Sequence, residues 1–367
     1  MENHNRMKRK YIFLQFIETS LLLLAACSPA TMSVTSQPVM PNIPLPTPTD
    51  TAIPCLATFM PSEFLPDNNH LLGKQTMEGQ RISRFQIMDL ETLQVETIYE
   101  YSAAQMDVPI LSPDGKLVAV PQPDFSVQLI RLADGAVQAS LVGHTNFVSA
   151  MVFSPAGDKL YTGSVDTFVR VWDLSGNLLG TFQPDGADNL PSEITGLGVS
   201  PDGKVLVTIP LEGWIKVWDT SDFTKLGEYE GPIFGSYNGS TALFSPDGRY
   251  RAVGLAAGPG AVSLWRVSDG TLLWRGGFFG FAFSPDGKAF AHTRVGEGNE
   301  FSEQVVLSSV DGQTQLRVLD ETYPTGIHRL VFSPDGTRLA VFTATGETQI
   351  WDRASGRKLL GYQAACP

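Results

Sequence analysis

Across 367 residues the chain carries 26 Lys and Arg against 38 Asp and Glu, a formal charge of −12, in an otherwise ordinary globular mixture with 43% apolar residues. The acid surplus repels nucleic acid and anionic lipid surfaces, and no run of Lys or Arg interleaved with aromatics offsets it. A paired-His zinc helix, a Gly-Lys-Ser/Thr phosphate loop and a Gly-x-Ser-x-Gly nucleophile elbow are all missing, so the common catalytic classes have no foothold in the sequence.

Lys8, Arg9 and Lys10 precede an apolar stretch from Tyr11 to Ala26, which closes on Leu24-Ala25-Ala26-Cys27. Basic, then apolar, then small residues is the order of a secretory signal, and the stretch is short for a membrane span. Residues 1–26 are therefore expected to be a signal peptide starting at Met1 or Met7. The Leu-Ala-Ala-Cys ending resembles a bacterial lipobox. That resemblance implies a diacylglyceryl thioether on Cys27 and an extracytoplasmic place in the cell envelope for all that follows. An uncleaved anchor helix is the alternative, and it too puts the rest of the chain outside the cytoplasm. Residues 27–56 hold Pro29, Pro38, Pro41, Pro44, Pro46, Pro48 and Pro54 and no periodic apolar face, so they are expected to be a disordered, solvated stalk. Removal of residues 1–26 takes away four basic and two acidic groups and leaves a charge of −14.

Seven turns then recur: Leu65-Pro66-Asp67-Asn68, Ser112-Pro113-Asp114-Gly115, Ser154-Pro155-Ala156-Gly157, Ser200-Pro201-Asp202-Gly203, Ser245-Pro246-Asp247-Gly248, Ser284-Pro285-Asp286-Gly287 and Ser333-Pro334-Asp335-Gly336. Their spacings are 47, 42, 46, 45, 39 and 49 residues, the period of one supersecondary unit. Pro presets φ, Asp bonds its own backbone and Gly suits the fourth position. Around each turn lie alternating runs such as Val148 to Phe153 and Lys159 to Thr162, then a third run ending in Val171-Trp172-Asp173 and, after Ser175-Gly176-Asn177, a fourth from Leu178 to Phe182. Radial closure of seven such units predicts an all-β fold over residues 57–367: a seven-bladed propeller of four-stranded antiparallel blades.

The Trp172-Asp173 and Trp218-Asp219 endings, with Gly143-His144 ahead of one repeat, resemble the WD40 family over about residues 57 to 366. The resemblance implies a buried structural network of His144, Thr162, Asp166 and Trp172. In the next blade Thr208, Glu212 and Trp218 match that pattern, but Leu190 stands in the place of His.

With Cys27 given to lipid, Cys55 and Cys366 remain as a pair in an oxidising compartment. Cys55 lies ten residues before Leu65, as His144 lies ten before Ser154, and Cys366 lies fifteen after Trp351, so both fall where one blade passes to the next. WD40 rings are usually closed by strand exchange, yet here the last blade already owns a fourth strand at Lys358 to Tyr362. A Cys55–Cys366 disulfide is expected in its stead, worth roughly 5 to 6 kcal/mol at most in the loop-entropy account.

Strand alternation puts the Ser-Pro-Asp-Gly turns on one face of the disc and the longer second-to-third-strand and blade-to-blade loops on the other, where recognition is expected. Phe125, Phe168 and Trp214 precede the third strands of three adjacent blades, and Phe234, Tyr237, Phe278, Phe279 and Tyr323 lie in further loops of that face. They form the candidate partner-binding set; the plainer reading is that single rings fill gaps between blades. The function expected is a monomeric, non-enzymatic scaffold for a protein or peptide of the cell envelope, needing no cofactor and no metal and touching the membrane through its lipid alone. Asp185, Asp188 and Asn189 lack the regular spacing of a calcium loop. The competing reading is an enzyme or small-ligand binder using polar groups in the central channel, such as His328 and Arg329. The interface reading instead expects an apolar, plugged channel.

Overall fold

The chain forms seven sheets, each of four consecutive antiparallel strands, and no described strand is shared between two of them. The structure, a computed structural model, describes residues 59–76, 82–102, 109–184, 191–211, 214–229, 241–254, 262–276, 280–295, 302–324, 326–343 and 346–363. Blade 1 holds β1 (Phe59–Phe64), β2 (His70–Thr76), β3 (Ile82–Asp89) and β4 (Val95–Ser102); blade 2 holds β5 (Ile110–Leu111), β6 (Leu117–Pro121), β7 (Val127–Arg131) and β8 (Val137–Leu141). Blade 3 follows with β9 (Val148–Phe153), β10 (Lys159–Ser164), β11 (Val169–Asp173) and β12 (Leu178–Phe182), and blade 4 with β13 (Ile194–Val199), β14 (Val205–Pro210), β15 (Ile215–Asp219) and β16 (Lys225–Tyr229). Blade 5 comprises β17 (Thr241–Phe244), β18 (Tyr250–Gly254), β19 (Val262–Arg266) and β20 (Leu272–Gly276). Blade 6 comprises β21 (Phe281–Phe283), β22 (Ala289–Val295), β23 (Glu303–Ser309) and β24 (Gln315–Val318), and blade 7 β25 (Ile327–Phe332), β26 (Arg338–Thr343), β27 (Glu347–Asp352) and β28 (Lys358–Gln363). First strands neighbour one another from blade to blade and so surround the axis. The signal segment, the stalk, Cys27, Cys55 and Cys366 lie outside the described residues.

The turn that sets the period is built around its serine. In five copies Ser Oγ donates to the Asp two residues on, at 2.6 or 2.7 Å, and accepts the backbone N–H five residues on, at 2.9 or 3.0 Å. Where Ala156 replaces that Asp, Ser154 Oγ donates instead to Asp158, at 2.7 Å, so the turn survives by shifting its carboxylate two places. The fourth position is left-handed throughout, with φ of 64° at Asn68 and 71° at Gly115, as Asn and Gly allow.

Apolar residues of facing blades interlock in seven clusters, one for each junction. The ring closes by the same means. Phe64, Leu71 and Met88 of blade 1 pack on Ala340, Phe342 and Ile350 of blade 7. Asn68, the odd residue of the degenerate first turn, adds a polar clasp: its Oδ1 accepts the N–H of Asp335 at 2.9 Å, and its carbonyl accepts Arg338 Nη1 at 3.3 Å.

One core position breaks the pattern. Opposite the third-strand Trp, blades 3, 4 and 7 place Leu160, Leu206 and Leu339, whereas blade 5 places Arg251 against Trp265. Arg251 is 2% exposed, its guanidinium lies 4.2 Å from the Tyr229 ring, and its Nε and Nη2 meet no acceptor. Burial pushes its pKa below the usual arginine value. Since an unpaired buried charge costs more than the ring returns, Arg251→Leu is expected to raise unfolding free energy by about 1 to 3 kcal/mol, measured by urea denaturation. A loss of stability would mean that the guanidinium is better solvated than this geometry allows.

Candidate functional site on the loop face of blades 2 to 4

Beneath this face, blade 3 is held by a chain of side-chain hydrogen bonds. Trp172 Nε1–H donates to Thr162 Oγ1 at 2.9 Å, and Thr162 Oγ1 meets His144 Nε2 at 2.7 Å. His144 Nδ1 meets Asp166 Oδ2 at 2.9 Å. A neutral imidazole that donates from Nδ1 to the carboxylate and accepts the threonine proton at Nε2 satisfies the chain from Trp172 to Asp166, with Arg170 Nη1 crowding Nδ1 at 2.5 Å. Burial favours that neutral form and pushes the His144 pKa below 6.5, against the pull of Asp166. Burial also works against the charge on Asp166, but hydrogen bonds from His144 and from the N–H groups of Thr145 and Phe168 outweigh it and hold its pKa below the ordinary carboxylate range. Arg170, which the sequence reading did not single out, completes the group through Nη1 to Asp166 Oδ2 at 2.8 Å. Blade 4 keeps half of the chain, with Trp218 Nε1 donating to Thr208 Oγ1 at 3.0 Å, while Leu190 and Glu212 lie outside the described residues.

Phe168 stands directly on this support, its N–H donating to Asp166 Oδ1 at 3.0 Å. Phe168 is half-buried, and the Arg170 guanidinium lies 5.3 Å from its ring centroid. Trp214, at the same place before the third strand of blade 4, is 49% exposed. Phe125 is one position out of register. Its N–H donates to Gln122 O as that of Thr167 does to Ser164 O, so it aligns with Thr167 and shares its positive φ, 70° against 74°. Its ring packs edge-on against Phe147 at 5.1 Å, and so joins the surfaces of blades 2 and 3.

Tyr323 does not belong to this set. It is 2% exposed, and its hydroxyl donates to Gln349 Oε1 at 2.7 Å, the atom that also accepts Trp351 Nε1–H at 3.0 Å. Tyr323 thus does for blade 7 what His144 does for blade 3. The signal was in the spacing, since each lies ten residues ahead of its turn serine. Phe234, Tyr237, Phe278 and Phe279 lie outside the described residues, as do Asp185, Asp188 and Asn189. Among the described residues no cluster of His, Cys, Asp and Glu has the form of a metal site.

The innermost strands are not uniformly apolar. Glu63 on β1 accepts the N–H of Leu111 at 2.9 Å, joining blades 1 and 2, and His328 and Arg329 sit on β25. Burial raises the Glu63 pKa, with Arg329 pulling the other way. An apolar plug does not describe this part of the axis.

Comparison with known proteins finds the family described as "WD domain, G-beta repeat" at residues 135–173, which run from the end of blade 2 to the Trp172-Asp173 ending of blade 3. The chain is similar to COMPASS component SWD3 of Saccharomyces cerevisiae, 28% identical over 169 residues, which is 44% of this chain and 51% of the yeast protein. It is also similar to a WD repeat-containing protein of Synechocystis, 38% identical over 100 residues (27% of each chain), and to the F-box-like/WD repeat-containing protein TBL1X of Mus musculus, 31% identical over 106 residues (26% and 20%). The matched segments thus span about half of the yeast protein and smaller shares of the others. The chain thus carries one matched WD-type repeat within a propeller of seven four-stranded blades, and is similar over part of its length to WD-repeat proteins.

Proposed function

We propose that the chain is a non-enzymatic scaffold that offers the loop face of blades 2 to 4 to a protein or peptide. The observation that carries this reading is the pair Phe168 and Trp214: two aromatic groups at one register on adjacent blades, the first with its N–H bonded to Asp166 of the buried network and the second 49% exposed. Large rigid rings presented with little entropy to lose are what interface anchors require. The yeast relative is by name a component of an assembly, which agrees with a binding role.

In the finer form of this proposal Cys27 carries lipid, the propeller works outside the cytoplasm as a monomer, and its partner belongs to the cell envelope. The Cys55–Cys366 disulfide then pins the seam between blades 7 and 1. In support, no described strand bridges that seam, and the described ends at Phe59 and Gln363 lie four and three residues from the two cysteines, on neighbouring blades. Mass spectrometry of the unreduced chain should return one crosslinked peptide holding both; two free thiols would remove the staple from the proposal.

Crosslinking on intact cells tests the binding face. The double variant Phe168→Ala, Trp214→Ala is expected to lose most captured protein while keeping its far-ultraviolet dichroism, an effect of roughly tenfold or more in recovery for two anchors worth about 1 kcal/mol or more each. Undiminished capture by the folded variant would move the interface off these blades.

A further inference from the structure

The junction between blades 5 and 6 exchanges a large residue for a small one. At the register where blades 3, 4, 5 and 7 carry Trp172, Trp218, Trp265 and Trp351, blade 6 carries Ser308. The outer strand of the preceding blade shows the inverse. Ahead of blades 3, 4 and 5 it places Ala139, Gly180 and Gly227 at one register, and ahead of blade 6 it places Trp274. The indole has in effect crossed the seam, and its ring centroid lies 4.4 Å from that of His292 and 5.8 Å from that of Phe290.

An open concavity of about 370 Å³ lies at this junction, with Trp274, His292, Arg294, Val306, Ser308 and Gln315 in its walls. That volume lies within the range of roughly 300 to 1,000 Å³ typical of small-molecule sites. His292 and Ser308, 5% and 3% exposed, satisfy each other through Nε2 and Oγ at 2.9 Å. Arg294 is different. Its guanidinium donates only to the amide oxygens of Gln304, at 3.2 and 3.0 Å, and Gln315, at 3.2 Å, and has no carboxylate partner among the described residues. Arg294, bonded to neutral amides alone among the described residues and set beside an aromatic wall, is an opening for an anion.

We propose that this cavity binds a small carboxylate with a flat apolar body, the carboxylate taken by Arg294 and the body laid against Trp274 and Val306. A guanidinium matches a carboxylate in two parallel hydrogen bonds, and an indole face favours a planar group over a branched one. The site is separate from the loop face of blades 2 to 4 and does not depend on what docks there.

Isothermal titration of the intact chain with phenylacetate tests this, with 2-phenylethanol as the uncharged control. Phenylacetate is expected to bind saturably, and the alcohol roughly tenfold or more weaker. Arg294→Gln should weaken phenylacetate by roughly tenfold or more and leave the alcohol unchanged. The paired exchange Trp274→Gly, Ser308→Trp restores the arrangement of blades 3 to 5, fills the cavity, and should abolish binding in a folded propeller. Absence of saturable heat up to about 10 mM phenylacetate, or equal affinity in Arg294→Gln, overturns the proposal. Because Arg294 is exposed, that single variant keeps the test decisive even if the paired exchange fails to fold.

Discussion

Thr162→Val is expected to lower the unfolding free energy by about 2 to 4 kcal/mol, the cost of orphaning two buried polar groups in one step. The threonine is wholly buried, and its single hydroxyl both accepts from Trp172 Nε1 and meets His144 Nε2. Valine keeps the shape and removes the hydroxyl, so packing changes little. Urea denaturation of Thr162→Val, Trp172→Phe and the double variant separates the contributions. With the indole N–H already gone, the threonine change should cost less than in the native chain. A cost below about 0.5 kcal/mol for Thr162→Val would mean that the hydroxyl is not the joint of this network.

Stability should also fall on mild acidification, and His292 is the group to follow. Burial pushes its pKa down to about 4 from 6.5, with Arg294 pushing the same way and the carbonyl of Thr293 opposing. The unfolded chain therefore takes up the proton first. The contribution of His292 is complete above about pH 6.5 and is lost as pH falls toward 4, a change on the order of 3 kcal/mol. His144 shifts in the same direction for the same first reason, so it adds to this limb. Asp166, held low, loses its contribution only in stronger acid, below the ordinary aspartate range. Unfolding free energies measured from pH 7 to 4 should drop more steeply for the native chain than for His292→Gln. Parallel curves would show that His292 protonates without penalty in the folded state.

The periodic part of this structure was legible because it is local. Pro and Gly at fixed offsets, alternating apolar runs and a Trp-Asp ending each act within about ten residues, and they sufficed for seven blades of four strands. Even there the reading credited Asp and Gly and passed over the serine, whose hydroxyl accepts a backbone N–H in each of the six serine copies. What escaped depends on two blades at once. Tyr323 reads as a loop aromatic until Gln349 of the following blade is seen to receive it. Arg251 carries no signal in its own blade, and only Tyr229 of the preceding blade shows it to be enclosed. The exchange of Trp274 and Ser308 is invisible within either blade, because each residue is unremarkable until set against the other. Phe125 shows a subtler limit: it stands five residues before Ile130 where Phe168 stands four before Trp172, and across turns of equal length that single step moves it onto the place of Thr167.

Among the described residues every sheet is made of consecutive strands, and the two ends of the ring meet side to side, through Phe64, Leu71 and Met88 against Ala340, Phe342 and Ile350 and through the clasp at Asn68. Parting at that join would therefore break no backbone ladder, whereas a ring locked by a borrowed strand must unzip one. With the proposed Cys55–Cys366 staple reduced, such a disc should spring open like a split washer and reclose with every blade intact. It should likewise accept new ends cut between any two blades once the old ones are joined.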